Sequence, residues 1–201
     1  MVRRTKEDAE KTREMLLDAA EEVFLSQGVA STSLNDIARA AGVTRGAVYW
    51  HFENKQALFD AMHARVKLPM DALYEQAMKE GDALQALKKS CIYALKHVGE
   101  NEHANRVFTI LMTRCEQGNG ERQRNRRREI IARFERVFTE AEAEGKLAPG
   151  LTGKNAAIMM HACMSGMFSD YVRNPGEYTL GALADSYITS VLNGLLAKPL
   201  A

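Results

Sequence analysis

The sequence predicts an all-α protein, and three observations carry that prediction. Apolar residues recur at three- and four-residue intervals in one segment after another, and no run alternates apolar and polar residues with the period of a strand. The four prolines, Pro69, Pro149, Pro175 and Pro199, all lie outside the strongly periodic stretches. The clearest breaks are glycine-rich: Gly118-Asn119-Gly120, Gly145 with Pro149-Gly150, and Asn174-Pro175-Gly176.

The first helix is expected over about 7–27, with Leu16, Ala19, Ala20, Val23 and Phe24 on one face. Gly28 ends it as a left-handed cap, with Val29 as the trailing hydrophobic contact. Ser33 then serves as an N-cap, Asp36 suits the positive end of the second helix, and Leu34, Ile37, Ala38 and Ala41 form the buried stripe. Gly42-Val43 repeats the stop. Thr44 caps a third helix through Phe52, and Asn54 caps a fourth from Lys55 to about Val66. Beyond Leu68-Pro69 longer helices are expected at about 70–80, 84–99, 103–117, 121–145, 153–173 and 179–197. The chain thus reads as a three-helix domain over 1–53 and a larger helical domain over 54–201, with 54–66 as the connecting helix.

Composition narrows the class. The 201 residues are 46% hydrophobic and 26% charged, enough for a real core. Lys plus Arg number 27 against 26 Asp plus Glu, which excludes a polycationic tail or an acidic disordered chain. No apolar run is long enough to span a bilayer, and the start is charged, so a cytoplasmic protein without a membrane partner is expected. Cys91, Cys115 and Cys163 are odd in number and far apart, against a disulfide framework.

The second and third helices are separated by Ala41-Gly42-Val43, the short turn of a helix-turn-helix. In such a pair the first helix braces across a DNA backbone and the second lies in the major groove. Val48 and Phe52, four residues apart and so within roughly 40° of each other, form the inward edge of the third helix. Arg45, Gly46, Tyr49 and Trp50 occupy the remaining arc, two aromatics with a single charge. That composition fits a contact surface better than a solvated one. Arg45 is the forked donor able to bond guanine O6 and N7 together. Gly46 lets the helix approach closely, Ala47 and Tyr49 reach thymine methyls, and Tyr49 also reaches phosphate. His51 and Lys55 are placed to fix the backbone. The helix starts at Ser33 and Thr44 offer N–H groups to phosphates. Arg3, Arg4 and Lys6 make a basic arm for the backbone or the minor groove. A protein-docking surface with no operator is the competing reading, and acidic and basic residues balance over 1–67, so charge does not choose between them.

The stretch Thr32-Ser33-Leu34-Asn35-Asp36-Ile37-Ala38-Arg39-Ala40-Ala41-Gly42-Val43-Thr44-Arg45-Gly46-Ala47-Val48-Tyr49-Trp50-His51-Phe52-Glu53-Asn54-Lys55 closely resembles the signature of the TetR family of bacterial transcriptional regulators. The opening Val2-Arg3-Arg4-Thr5-Lys6-Glu7, the Thr12-Arg13 pair and the ending Val43 to Phe52 resemble its AcrR-like branch, repressors of multidrug efflux pumps. The resemblance is dense over about residues 2–66 and sparse beyond. It implies a homodimer on a pseudo-palindromic DNA operator and a C-terminal domain that binds a small-molecule inducer. By position it assigns Val66, Phe108, Met112, Ile130, Phe134, Met164, Ser165 and Phe168 to the inducer. Phe108, Met112 and Ser165 stand where relatives often carry a charged or polar group, so the expected inducer is apolar or amphipathic. A TetR-like regulator of lipid or small-metabolite catabolism is the alternative within the class.

Read without the resemblance, the segment 153–173 carries Met160, Met164, Met167 and Tyr171 on one stripe, with Phe168 beside it. Flexible methionines suit ligands of varied shape, but such a stripe also serves as core or as a dimer seam. Small residues Ala157, Ala162, Ser165, Gly166 and Ser169 would let two such helices approach. Residues 121–136 hold seven arginines and three glutamates, which reads as a solvated face, since Ile130, Ile131 and Phe134 give it a buried side. His161-Ala162-Cys163, with Cys91, Cys115, His97 and His103 elsewhere, lacks the spacing of a metal site, so no metal and no cofactor is expected. No phosphate loop, nucleophile elbow or dinucleotide motif is present, and no enzymatic activity is expected.

Overall fold

The computed structural model describes residues 6–79, 81–114 and 120–200. Its regular elements are all helical, and among the described residues the only β-pairing is an isolated bridge between Leu147 and Leu196. In chain order the helices are α1 (Lys6–Gln27), α2 (Leu34–Ala40), α3 (Arg45–His51), α4 (Lys55–Met78), α5 (Ala83–Glu100), α6 (Glu102–Thr109), α7 (Gly120–Ala143), α8 (Gly153–Arg173) and α9 (Leu180–Leu195). A π-helical turn, Ile110–Arg114, continues α6. They fall into two compact units, one of Met1–Leu68 with Arg106–Glu116, the other of Pro69–Asn105 with Gln117–Ala201.

The first unit closes around α1. Leu16, Leu17, Ala20 and Phe24 are fully buried, together with Ile37 of α2, Val48 of α3, and Leu58 and Met62 of α4. Phe24 meets Phe59 edge-on at 6.0 Å. Gly28 and Gly42 adopt φ +84 and +66, conformations open to glycine, and so turn the chain after α1 and α2 where the sequence places stops. The interior also holds polar groups, each bonded. Thr12 Oγ1 donates to the Asp8 carbonyl at 2.9 Å and Thr32 Oγ1 to the Gly28 carbonyl at 2.7 Å. Glu21, fully buried on α1, accepts from the Arg65 guanidinium of α4 and, at 3.1 Å, from Arg106 Nε of α6. Arg65 also reaches Glu14 at 2.9 Å and Asp18 at 2.8 Å.

The second unit is built from two packed pairs, α5 with α9 and α7 with α8. Glycine sets the spacing of the second pair. A Cβ on Gly153 would lie 2.6 Å from the Thr139 backbone nitrogen, so α8 starts directly against α7, with the Gly153 N–H donating to Glu142 at 2.6 Å. Ala156, Ala157 and Met160 of α8 and Phe138 of α7 are completely buried. Leu180, Ala184, Ile188 and Leu192 of α9 and Leu87, Leu95 and Val98 of α5, the other pair, are buried as completely.

Two expected boundaries change. The break at Leu68-Pro69 is absent, because α4 runs unbroken from Lys55 to Met78. A helical proline removes one N–H donor and crowds the carbonyl four residues earlier, but the helical turns on either side keep their own bonds. The segment expected over 103–117 divides into α6 and the π turn, while its last residues lie outside those described.

Candidate nucleic-acid interface

The geometry of α2 and α3 follows from local hydrogen bonds. Ser33 and Asp36 form a full capping box: the Asp36 N–H donates to Ser33 Oγ at 3.2 Å and the Ser33 N–H to Asp36 Oδ2 at 2.9 Å. The Ser33 hydroxyl, donating to Asp36 Oδ2 at 2.6 Å, and the Ser33 N–H, with Arg39 2.8 Å away, hold the Asp36 carboxyl below the usual carboxylate range. The start of α2 therefore already carries an anion. At α3, Thr44 Oγ1 accepts from the Ala47 N–H at 3.2 Å, and no acidic residue occupies the first turn. Of the two helix starts expected to meet phosphate, only that of α3 presents its positive end without a carboxylate on it.

Val48 is completely buried and Phe52 nearly so, which fixes the rotation of α3. Arg13 of α1 lies 5.6 Å over the Phe52 ring and closes that side. The opposite arc is open: Arg45 and Gly46 are exposed, Tyr49 keeps 46% of its surface and Trp50 72%. The Arg45 guanidinium lies 5.3 Å over the Tyr49 ring, with Nη2 3.4 Å from its hydroxyl, so the two side chains form one ledge. A Cβ on Gly46 would meet nothing closer than 3.9 Å, so packing within the protein does not demand glycine there. Ala47 and His51 are half-buried, and the Trp50 and His51 rings meet edge to face at 4.6 Å. Lys6 is exposed at the first residue of α1, while Arg3 and Arg4 lie outside the described residues.

Lys55 takes a task that spacing alone did not reveal. Its Nζ donates to the carbonyls of Val29, Ala30 and Thr32 at 2.7, 3.0 and 2.7 Å, tying the α1–α2 loop to the start of α4. All three donors of the ammonium thus serve the domain itself. Asn54 caps α4 as expected, accepting from the Ala57 N–H at 2.8 Å. Spacing does not reveal the Glu21–Arg65–Arg106 cluster either. Its signal was present, since Glu21 lies four residues after Leu17 and three before Phe24, on the buried stripe.

The residues assigned by position to an inducer divide between the units. In the first, Val66 is buried, Phe108 half-buried and Met112 exposed. In the second, Phe134, Met164 and Phe168 are buried along the α7–α8 pair, Ile130 keeps 37% of its surface, and half-buried Ser165 has its Oγ 3.5 Å from His161 Nε2. Burial pushes the Cys91 thiol up to about 12, which makes it inert packing, whereas Cys163 is half-buried and Cys115 lies outside the described residues. Among the described residues no helix is long and apolar enough to cross a membrane.

A capped recognition helix with an open aromatic and cationic arc, braced by a second short helix, defines a helix-turn-helix DNA-binding regulator. The family models agree and go further. Residues 16–62 match that of "Bacterial regulatory proteins, tetR family" and residues 82–197 that of "MAATS-type transcriptional repressor, C-terminal region". The chain belongs to the TetR family of transcriptional regulators. It is 34% identical over 207 residues to the HTH-type transcriptional regulator AcrR of Shigella flexneri, covering 99% of this chain and 96% of that one. Among solved structures it is similar to NalD, the secondary repressor of the MexAB-OprM multidrug efflux pump in Pseudomonas aeruginosa, at 41% identity and TM-score 0.83, covering 96% and 99% of the two chains. It is also similar to SmeT, repressor of the Stenotrophomonas maltophilia pump SmeDEF, in complex with triclosan, at 33% identity and TM-score 0.76 over 90% of each chain.

Proposed function

We propose that this protein is a homodimeric repressor of a multidrug efflux operon, released from its operator by an apolar or amphipathic small molecule. The single observation that carries the DNA-reading part is the open arc of α3, where Arg45, Tyr49 and Trp50 project from a helix fixed by buried Val48. In this reading residues 1–53 are the reading head and 54–66 its connecting helix. Arg45 reads a base edge, Ala47 and Tyr49 meet thymine methyls, and Trp50 and His51 lie against the backbone. Gly46 allows close approach, Thr44 and the start of α3 meet a phosphate, and Lys6 with Arg3 and Arg4 extends the contact. Ser33 and Lys55 serve by holding α2 and the α1–α2 loop in place.

The efflux assignment rests on what the relatives regulate: NalD and SmeT are repressors of multidrug efflux pumps. The apolar character of the inducer is supported by buried Phe134, Met164 and Phe168, and by the triclosan bound to SmeT. Dimerisation is supported by exposed apolar side chains where small residues also cluster, Ile158, Met159, Ala162 and Gly166 on α8 with Leu183 on α9. An isologous pair would present two reading heads to a two-fold site.

Trp50, the one tryptophan of the chain, makes the test direct. Duplex DNA from upstream of the gene is titrated into the protein at two salt concentrations with Trp50 fluorescence as readout, a random duplex as control, and a panel of drugs added afterwards. Selective quenching by the upstream duplex, reversed by some compounds, is the expected result. Equal weak response to both duplexes, confirmed by a mobility-shift assay, would remove the operator and with it the regulon. Reversal by acyl-type metabolites and by no drug would move the protein to a catabolic regulon.

A further inference from the structure

We propose that the Tyr74 hydroxyl in the second unit is a polar anchor for the inducer, donating a hydrogen bond to an anionic oxygen, phenolate or carboxylate, at one end of an apolar ligand. The proposal rests on the inducer-responsive reading above and names the ligand chemistry that reading leaves open.

Tyr74 lies on α4 and retains 4% of its surface. Among the described residues its hydroxyl has no hydrogen-bond partner. A buried hydroxyl left without a partner costs about 1–3 kcal/mol, and phenylalanine would fill the same space without that cost. The surroundings show which partner would suit it. Arg133 of α7 stacks 4.9 Å from the ring centroid, held in place by Asp71 at 2.6 Å from its Nη1. Arg136 and Arg133 both act on the phenol electrostatically, with Glu75 on the acidic side and Asp71 paired with Arg133. The neighbouring Cys91 is a buried thiol whose own ionisation is suppressed, so it supplies no anion to accept the bond.

Burial raises the Tyr74 phenol above its ordinary range although Arg136 and Arg133 oppose it, so at neutral pH the group keeps its proton and acts as a donor. A donor with a positive flank and no protein acceptor selects for negative oxygen. A ligand that is apolar throughout leaves the hydroxyl as it stands and gains nothing from it. A ligand that ends in a phenolate or carboxylate gains a charge-assisted bond in a dry site. The expected discrimination between such a ligand and its capped analogue is about tenfold.

The test uses the full-length protein and three ligand pairs: triclosan and its O-methyl ether, pentachlorophenol and pentachloroanisole, 1-naphthoate and its methyl ester. Affinities are measured by calorimetry above the pKa of each acidic member, on the wild-type chain and on Tyr74→Phe, with operator release followed in parallel. The wild-type protein is expected to favour the acidic member of the pairs it binds by about tenfold, and Tyr74→Phe to lose that preference by weakening the acidic member alone. Thermal melting without ligand keeps the two roles apart, because Tyr74→Phe is expected to melt at the same temperature or higher. A lower melting temperature would mean that the hydroxyl is already bonded within the protein, and would overturn the proposal. An unchanged preference in Tyr74→Phe, with operator release intact, would overturn the anchor and leave the inducible repressor standing. Failure of every pair to bind or to release the operator would overturn both.

Discussion

The two units bury different kinds of atoms. Among the described residues the buried polar and charged side chains other than tyrosine are Thr12, Glu21 and Thr32, and all three belong to the first unit. Each is bonded there, Glu21 by two arginines from two other helices. The second unit is closed by aliphatic, methionine and aromatic side chains on α5 with α9 and α7 with α8. Bonded polar groups fix one arrangement, since every alternative leaves a charge or a donor unmatched. Methionine contacts tolerate many arrangements at similar energy. The comparison teaches that a reading head and a sensing body place opposite demands on a core: one geometry in the first, accommodation in the second.

The largest test of that contrast is Glu21→Gln, isosteric and neutral. It leaves Arg65 and Arg106 facing an amide, and the expected destabilisation is about 3–5 kcal/mol, at the lower end because both arginines keep some exposure. Urea unfolding followed by far-UV circular dichroism measures it. A loss of only about 0–1 kcal/mol, typical of an exposed ion pair, would erase the contrast. Arg45→Ala comes next and acts on function alone. It should cost about 1–3 kcal/mol of operator binding and relax base preference at one position in each half-site, with stability unchanged. Equal losses on operator and random duplex would show that Arg45 binds backbone.

On the side of the second unit, Met164→Leu should cost under about 1.5 kcal/mol while shifting the order of ligand affinities, because volume is conserved and flexibility is not. Destabilisation as large as that of Glu21→Gln would mean that this core is as sharply specified as the other. Thr44→Ala removes the cap of α3 and should lower stability by about 1 kcal/mol, with a matching loss in operator affinity.

The smallest effect is in pH. Burial lowers His97 below the ordinary 6.5, and burial together with Arg127 lowers His161, both in the second unit. The unfolded chain therefore takes up these protons more readily than the folded one. Their neutral forms give full stability above 6.5, and it is lost as the pH falls below that value until the folded groups also titrate. Acid titration of His97→Gln and His161→Gln should show a shallower loss than the parent chain. Identical profiles would place the sensitivity elsewhere.

The reading head was more legible in the sequence than the body, for a physical reason. Caps and turns are local, so Ser33 with Asp36, Thr44, Asn54, Gly28 and Gly42 announce themselves within four residues of the bonds they make. The fold class and the family followed from the same short-range pattern. Spacing puts Lys55 on the correct helix, but its partners lie 23 to 26 residues away, beyond any spacing rule. Glu21 could have been flagged from its place on an apolar stripe, yet its arginines could not, because Arg65 and Arg106 come from separate helices. In the body, periodicity located the helices, while the partnerships of α5 with α9 and α7 with α8 depend on side-chain fit.

α4 carries a proline within its length. The helix is continuous, yet Pro69 has no N–H to offer the carbonyl of Arg65 four residues earlier, and the division between the two units falls between Leu68 and Pro69. In mechanical terms α4 is a rod with one rung missing at that division. Such a rod keeps its course through the rungs on either side of the gap, and is softest to bending where the rung is missing.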